Sequence, residues 1–442
     1  MTNGEAADRH GRMVYFAAPV PDGPRIEFAG ADGLDRRMIE TLPHSGAAAP
    51  LPPIDIRPAV RQLQSSLIRE VANAGMGDDT ILRFWFGESD QPTARFIREA
   101  AIDSLTSGET FYSQNLGRPY LREAIATYLS GLHDRPIAAE RVAAVGSGVS
   151  ALMIASQLVL SPGDRVVAVT PLWPNVTEIP RILGASVERV PLRIANGRWS
   201  LDLDRLLAAL TPGTRMLIVN SPNNPTGWTI EEDEIDAVLA HCRRHGIWVL
   251  ADDVYERLVH DPARRSAPSF LRRYEAGDRI ISANSFSKAW SMTGWRMGWL
   301  VLPEPLLDEV TKLIEYNTSC ILEPAQRAGA VAVARGEDEV AALRTRLRET
   351  RTVLVAGLRG LPGVEVPEAG GAMYAFFRIA GFGDSLDLAK RLVREAKLGL
   401  APGTAFGPEG AGWLRWCHAT SRAAIEDGLG RLAGFLDSSG LR

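Results

Sequence analysis

Lys288 lies in the stretch of this 442-residue chain that most directly suggests chemistry. The chain has 49 lysine and arginine residues, of which four are lysines, and Lys288 follows a strand-like apolar run with Ser285 before it and Arg296 after it. A part-buried lysine near other cations has a lowered pKa, so its neutral amine can form a Schiff base with an aldehyde. A hydroxyl and a guanidinium together can bind a phosphate. The alternative is an ordinary surface lysine.

Asp252 ends a second apolar run, VLAD, and is therefore expected to be buried. A buried carboxylate needs a partner, and a protonated pyridine nitrogen would serve. Tyr255, three residues further on, could reach the same place. The alternative for Asp252 is a helix N-cap.

Two loops of small and polar residues add to these signals. The loop NSPNNPTGW (220–228) indicates by itself only a turn. The stretch GSGVSAL (146–152) opens a helix whose first N–H groups and positive end could hold a phosphate. A GSG alone does not specify such a site, and the stretch has neither a GxGxxG nor a GxxxxGK[ST] pattern.

The elements that must position these residues are short β-rich runs alternating with longer helical ones. The runs are RVVAVT (165–170), RMLIVN (215–220), IWVLAD (247–252), RIISANS (279–285) and WLVLP (299–303). This alternation predicts an α/β fold with a largely parallel sheet and helices on both faces. Ligands bind at the carboxyl ends of such strands, where residues 220–224, 252–255 and 285–288 lie.

The same patterns suggest a division of the chain into parts. We expect residues 1–56 to be a flexible or loosely docked extension, because they are rich in Gly, Ala and Pro. Residues 57–110 would be the N-terminal part of a smaller α+β domain, residues 111–310 a large α/β/α domain, and residues 311–442 the C-terminal part of the smaller one. Residues 57–75 show one helical pattern, and the uncharged stretch 142–160 indicates a buried loop and helix rather than a membrane span.

Composition excludes several classes of partner and ligand. Net charge is −4, with 45% hydrophobic and 23% charged residues, which is ordinary for a globular enzyme and favours neither nucleic acid nor a membrane surface. The three cysteines form no CxxC pair, so we expect no metal site and no disulfide framework. A reducing cytoplasm is the simplest location.

Taken together, these stretches resemble those of the class I/II aminotransferases, the fold-type-I enzymes that use pyridoxal 5′-phosphate. SFSKAWSMTGWRMGW (285–299) is similar to their S-x-S-K…GxRxG block, and NSPNNPTG to their NxPxNPTG block. ADDVY (251–255) and YSQNLGRPYLREAIA (112–126) also resemble family blocks, with Asp253 in place of Glu. The resemblance implies a large domain with a mainly parallel, seven-stranded sheet and a smaller α+β domain.

The resemblance also implies roles around the cofactor. Lys288 would hold it through a Schiff base and then move the proton as acid and base, while Asp252 would keep the pyridine nitrogen protonated so that the ring serves as an electron sink. The other implied contacts are Tyr255 and Asn224 on the ring's phenolic oxygen, Trp173 stacked on the ring, and Ser285, Arg296 and the backbone amides of Ser147, Gly148 and Val149 on the phosphate.

At the substrate end, the resemblance implies that Arg415, in LRWCHATS, clamps the α-carboxylate, near Asn224 and Gly87. Tyr112 would reach the phosphate bound by a neighbouring subunit, which implies a homodimer with shared active sites. Where the family often has Ser-Tyr, this chain has Cys417 and His418, either as a packing change or as a reshaped substrate end.

Val149 bears on the choice of substrate, because some relatives with acidic substrates carry a lysine there. With aromatic residues at 84–86, we expect a neutral or aromatic amino donor rather than an acidic one, and a 2-oxo acid acceptor. Elimination or replacement chemistry on the same scaffold is the alternative. A regulator that binds the cofactor would need a basic DNA-binding module, and the acidic, lysine-free residues 1–56 argue against one.

Overall fold

A computed structural model describes residues 55–440 of the chain. Most of the predicted extension at 1–56 therefore lies outside the described residues. The helices within them are α1 (Pro58–Arg61), α2 (Leu67–Ala74), α3 (Arg95–Thr106), α4 (Pro119–His133), α5 (Gly148–Val159), α6 (Pro174–Ile182), α7 (Leu203–Ala209), α8 (Glu232–His245), α9 (Phe286–Ala289), α10 (Leu307–Glu315), α11 (Glu323–Arg335), α12 (Glu337–Arg359), α13 (Ser385–Ala396) and α14 (Arg422–Ser438).

The strands of the same region form one large sheet, one smaller sheet and two short pairs. They are β1 (Leu82–Arg83), β2 (Val142–Val145), β3 (Arg165–Thr170), β4 (Ser186–Pro191), β5 (Arg193–Ala195), β6 (Arg198–Ser200), β7 (Thr214–Asn220), β8 (Trp248–Asp252), β9 (Ile280–Ser285), β10 (Gly298–Val301), β11 (Val364–Glu365), β12 (Tyr374–Ile379), β13 (Leu398–Gly399), β14 (Ala401–Pro402) and β15 (Trp413–Cys417).

The large sheet has seven strands in the order β2-β10-β9-β8-β7-β3-β4. Strand β10 runs antiparallel to both of its neighbours, and the other neighbouring strands are parallel. Successive residues of a strand point to opposite faces, so Val166 packs in the core with α5 and α10, and Val167 packs in the core with α7 and α8. Because both faces are covered, β2, β8, β9 and β10 are buried along almost their whole length, and the predicted α/β sheet is confirmed.

The smaller sheet is antiparallel, in the order β11-β12-β15-β14. Strand β1 pairs in parallel with β13, which brings Leu82 beside Leu398. One apolar core contains α2 and β1 from the N-terminal side together with α13 and α14 from the C-terminal side. The domain boundaries at 57–110, 111–310 and 311–442 stay a prediction.

Two local expectations were wrong. The helical pattern at 57–75 is split into α1 and α2, because Ser66 caps the second helix by accepting a hydrogen bond from Arg69 N–H. The stretch from Val142 begins with a strand, β2, rather than a loop. Within the described residues, no helix has both the length and the apolar character needed to cross a membrane.

Candidate active site

A cavity of about 740 Å³ lies where the carboxyl ends of the large sheet face the smaller sheet. It is lined by eleven of the residues singled out from the sequence: Gly87, Gly148, Val149, Trp173, Asn224, Asp252, Tyr255, Ser285, Lys288, Arg296 and Arg415. We call Gly148, Asp252, Ser285 and Lys288, at the ends of strands of the large sheet or directly after them, the cofactor wall. We call Phe86, Gly87, Tyr374 and Arg415 the substrate wall.

Lys288 lies on the short helix α9, directly after β9. Its Nζ donates a hydrogen bond to the carbonyl oxygen of Gly87 at 2.5 Å, and the side chain is enclosed by protein but open to the cavity. Burial lowers the pKa of Lys288 to about 8, and the positive charges of Arg415 and Arg296 act in the same direction. About a tenth of the amine is therefore neutral at pH 7, far more than for an ordinary lysine, and the neutral form is what a nucleophile or base requires.

Asp252 is the last residue of β8 and its side chain is buried. Burial raises the pKa of Asp252 to about 7, against the opposing effects of a hydrogen bond from Val254 N–H and of the Lys288 charge. The residue is positioned through its backbone, since Asn220 Nδ2 donates to the Asp252 carbonyl oxygen at 3.1 Å. A buried carboxylate facing a cavity is stabilised by a cationic partner in that cavity.

The start of α5 has features that suit an anion. Ser147 caps the helix by accepting a hydrogen bond from Ser150 N–H, and a Cβ added to Gly148 would lie 3.1 Å from Ser285 Cβ. The glycine thus lets the helix N-terminus approach Ser285 closely. Arg296 has a left-handed backbone, with φ of 51°, a conformation that costs about 1–2 kcal/mol for a residue with a side chain. Together they place a hydroxyl, free helix N–H groups and a guanidinium at one end of the cavity.

Arg415 lies on β15 and is 2% exposed. Its two terminal nitrogens donate to Asn224 Oδ1 at 2.8 Å and to the Trp85 carbonyl oxygen at 2.5 Å. Among the described residues, its Nε has no hydrogen-bond partner. A buried guanidinium with unused donor capacity is suited to bind a carboxylate that enters the cavity.

Tyr374 is a cavity residue that the sequence analysis did not single out. Its hydroxyl oxygen lies 2.5 Å from that of Tyr255, and the Arg415 guanidinium lies 4.4 Å above its ring. Tyr374 opens strand β12, whose apolar sequence gives no sign that its first tyrosine faces a site. Arg69, which was also missed, and Phe86, which the sequence analysis noted only among the aromatic residues at 84–86, line the mouth of the cavity. They lie near each other, with the guanidinium 5.9 Å from the ring.

Two of the predicted residues do not line this cavity. Ser147 contributes its hydroxyl to the helix cap described above. Tyr112 is 89% exposed on the surface, next to Phe111, which is 84% exposed. Tyr112 was expected to act in a neighbouring subunit, and its position in this chain is compatible with that.

Cys417 and His418, which replace the Ser-Tyr that the family often has, have different surroundings. His418 is fully buried, where burial lowers its pKa to about 3, and its backbone N–H donates to Met373 O. It is therefore a neutral packing residue. Cys417 lies behind the substrate wall, where it borders a second cavity of about 400 Å³ that also reaches Phe86 and Glu88.

Comparisons with known proteins agree with this geometry. The family model for aminotransferase class I and II matches residues 80–432. The chain belongs to the class I and II aminotransferases. Members of this family use pyridoxal 5′-phosphate, so the cofactor and enzyme class expected from the sequence are confirmed.

Individual relatives of this aminotransferase are named for different amino acid substrates. It is 31% identical to an aspartate aminotransferase of Pyrococcus horikoshii over 85% of this chain and 95% of the relative. It is also 31% identical to aromatic-amino-acid aminotransferase 2 of Thermococcus litoralis, over 85% of this chain and 97% of the relative. The solved aspartate aminotransferase of Thermotoga maritima superposes with a TM-score of 0.79 at 30% identity, covering 86% of this chain and 100% of that one.

The residues of the cavity fit this cofactor. The close approach of Gly148 to Ser285 leaves helix N–H groups facing the space beside a hydroxyl, which suits a phosphate. The buried Asp252 carboxyl faces the same space and suits a protonated ring nitrogen. The half-buried Lys288 amine suits an aldehyde.

Proposed function

We propose that this aminotransferase holds pyridoxal 5′-phosphate on Lys288 and moves an amino group from a neutral or aromatic amino acid to a 2-oxo acid. The bound cofactor would supply an electron sink for the α-carbon of the amino acid. The observation that carries the proposal is the convergence of Lys288, Asp252 and Arg415 on one cavity. The lysine and the acid suit the two ends of the ring system, and the arginine suits the substrate.

Lys288 would do the proton transfer. Since its pKa is lowered to about 8, its amine can take a proton from a substrate carbon and return it without a large energetic penalty. The Gly87 carbonyl oxygen accepts a hydrogen bond from Nζ and so limits where the amine can lie. Gly87 also belongs to the substrate wall, so the base and the substrate would be positioned by the same segment.

The cofactor contacts are proposed from the positions of the remaining wall residues. Ser285, Arg296 and the amides of Ser147, Gly148 and Val149 would bind the phosphate at the start of α5. Asp252 would pair with the ring nitrogen, while Tyr255 and Asn224 would donate to the ring oxygen. Trp173, half-buried at the start of α6, would stack on the ring.

Arg415 would bind the α-carboxylate of the substrate. Its position is set by hydrogen bonds to Asn224 and to the Trp85 carbonyl, which connect the smaller sheet to a loop of the large sheet and to the segment after β1. The unpartnered Nε gives the guanidinium a further donor for a carboxylate. Charged hydrogen bonds of this kind contribute about 1.5–3 kcal/mol each.

The lining of the cavity supports a neutral or aromatic side chain on the amino donor. Val149, Leu152 and Trp173 give its inner part an apolar surface, and Phe86 lies at the mouth. Apolar walls favour apolar side chains by about 1–3 kcal/mol per methylene that is well accommodated or excluded.

An acidic donor is a second candidate because Arg69 lines the mouth of the cavity. Its guanidinium, which lies over the Phe86 ring, would be the group that meets a distal carboxylate. In that case Arg69→Gln would reduce turnover of aspartate far more than turnover of phenylalanine. Under the neutral or aromatic proposal, the variant changes both by a similar small factor.

The test is a single-turnover titration of the holoenzyme with a broad panel of amino acids. We expect the cofactor absorbance to convert to the amine form with neutral or aromatic donors at rates at least about tenfold above those with aspartate or glutamate. A 2-oxo acid should then restore the original spectrum. No conversion with any member of the panel would contradict the proposal. Release of ammonia without an acceptor would instead indicate elimination chemistry.

We also propose that the enzyme is a homodimer whose subunits share active sites. Phe111, Tyr112, Tyr316 and Leu322 are large apolar side chains that are 66–91% exposed. Ser113 N–H donates to Cys320 Sγ at 3.3 Å, and Asn115 donates to Glu315 at 2.5 Å, so their two segments form one surface. An exposed apolar surface of this kind is typical of an interface.

Sedimentation velocity tests the dimer directly. Wild-type protein should sediment as a dimer, and Tyr112→Asp combined with Tyr316→Asp should shift it towards the monomer. Ile102→Asp, at another exposed apolar position, serves as the control for a general charge effect. A monomeric wild type would contradict the proposal.

A cytoplasmic location stays a proposal as well. The three cysteines are free thiols, and they suit a reducing compartment. Their oxidation state in the native cell, measured by thiol alkylation of a fresh lysate, would test it.

A further inference from the structure

Tyr374 lies at the centre of the substrate wall, on the first position of β12, and is 1% exposed. The turn before it is tightly fixed. Ala372 has a left-handed backbone with φ of 61°, and its N–H donates to Leu258 O at 2.8 Å. A Cβ added to Gly371 would lie 2.7 Å from Pro222 Cγ. The start of β12 is therefore held against the segments that follow β7 and β8.

One phenol contacts three residues to which the proposed function gives a role. The Tyr374 hydroxyl oxygen lies 2.5 Å from that of Tyr255, with the two rings edge to face at 5.7 Å. The Arg415 guanidinium lies 4.4 Å above the Tyr374 ring. A Cβ at Gly87 would overlap the Tyr374 hydroxyl, so the glycine segment that accepts the Lys288 hydrogen bond rests on it.

The hydrogen bond between the two phenols has a preferred direction. Burial raises the pKa of Tyr374 to about 12 and raises the pKa of Tyr255 well above its ordinary value, so both keep their protons at neutral pH. Each phenol has a single proton, and only one of the two can lie between the oxygens. The Arg415 cation lowers the pKa of both phenols, but its guanidinium lies directly over the ring of Tyr374. Its effect is therefore larger on Tyr374, which makes Tyr374 the more acidic phenol and the better donor. The proton of Tyr255 is then free to point elsewhere.

We propose that Tyr374 is a positioning residue: its hydroxyl donates to Tyr255 and thereby directs the Tyr255 hydroxyl towards the ring oxygen of the cofactor. This inference rests on the proposed function, since it requires pyridoxal 5′-phosphate in the cavity. Tyr374 itself does not touch the reacting atoms in this account. Its ring also supports Arg415 from below, a contact that a phenylalanine would keep.

The test is the pH titration of the cofactor absorbance in the substrate-free holoenzyme of Tyr374→Phe. A hydrogen bond donated to the ring oxygen stabilises its negative charge and lowers the proton affinity of the bound chromophore. Losing the orientation of Tyr255 should therefore move the midpoint upward by about 0.5–1 pH unit, a three- to tenfold change in proton affinity. Tyr255→Phe should move it in the same direction and at least as far.

The double variant Tyr255→Phe/Tyr374→Phe shows whether the effect passes through Tyr255. We expect it to titrate like Tyr255→Phe alone, because the second hydroxyl then has nothing to orient. Tyr274→Phe is the matched control: its ring also lies next to an arginine, with the Arg141 guanidinium 3.6 Å away, but it does not line the cavity. Its midpoint should equal that of the wild type.

Two results would overturn the inference. One is a Tyr374→Phe midpoint equal to that of the wild type while Tyr255→Phe shifts. The other is full additivity in the double variant, which would mean that Tyr374 acts independently of Tyr255. The proposed function fails separately, if wild-type protein takes up no cofactor, and the inference then fails with it.

Discussion

The two walls of the cavity are built in different ways. The cofactor wall lies at the ends of strands within one buried sheet, where β8 and β9 pair in register and place Asp252 beside Ala283, two residues before Ser285. The substrate wall combines a segment after β1 with strands β12 and β15, which lie about 290 to 330 residues further along the chain. Polar contacts join it to residues that follow strands of the large sheet: Arg415 to Asn224, Tyr374 to Tyr255, and Gly87 to Lys288.

This difference suggests a division of tasks. Groups fixed by a sheet that is buried on both faces have little freedom, which suits the fixed geometry that a cofactor needs. Groups assembled from separate segments can change without disturbing that sheet, which suits a surface that selects among amino acids. We therefore expect changes in the cofactor wall to abolish chemistry, and changes near the substrate wall to alter affinity or selectivity.

The largest effect should follow from Lys288→Ala. Removing the amine takes away both the covalent anchor and the proton-transfer group, so kcat should fall by about 10⁴-fold or more. Lys312→Ala is the control, because that lysine is exposed and pairs with Glu309 at 2.8 Å, away from the cavity. Steady-state rates with the best donor measure both. Near-normal activity of Lys288→Ala would contradict the assignment.

Asp252→Asn should change how stability depends on pH in the cofactor-free protein. Because the pKa of Asp252 is raised from 3.8 to about 7, the folded state binds this proton more tightly than the unfolded state. The wild type therefore loses stability as the pH rises from about 4 to about 7, by roughly 2–4 kcal/mol from this group. The asparagine variant lacks that loss and should be the more stable protein at pH 8. Urea unfolding at pH 4.5 and pH 8 measures the difference, and parallel behaviour of the two proteins would refute it.

Arg415→Lys tests the substrate wall. The substitution keeps the charge but loses the planar fork that can bind a carboxylate through two donors. We expect kcat/KM to fall by about 10²-fold, mainly through KM, because one or two charged hydrogen bonds are lost. Arg422→Lys, an exposed arginine that pairs with Glu426 on α14, is the control. A fall in kcat with unchanged KM would mean that Arg415 acts on the chemistry instead.

Val149→Lys should have the smallest effect on total activity and a clear effect on selectivity. A cation at this part of the lining offers a partner to a distal carboxylate, so the ratio of kcat/KM for aspartate over that for phenylalanine should rise about tenfold. Val149→Met, similar in length but uncharged, separates charge from size. A rise in the ratio with methionine as well would show that shape rather than charge decides.

The sequence predicted the cofactor wall better than the substrate wall, for a physical reason. Asp252 and Lys288 follow apolar runs whose composition identifies them as buried strands, and parallel strands place their ends together. Tyr374 and Phe86 line the same cavity because β12 and the segment after β1 both reach it, and no local sequence pattern encodes that arrangement. The resemblance to a family supplied Arg415 and Gly87, which spacing alone would not have identified.

The covalent link between Lys288 and the cofactor is the feature on which every other proposed role of the cavity depends. Borohydride reduction of the holoenzyme, followed by digestion and peptide mass mapping, tests it directly. We predict one reduced cofactor adduct, on the peptide that contains Lys288, and none in Lys288→Ala. An adduct on another lysine, or no adduct in a protein that carries the cofactor, would contradict the account.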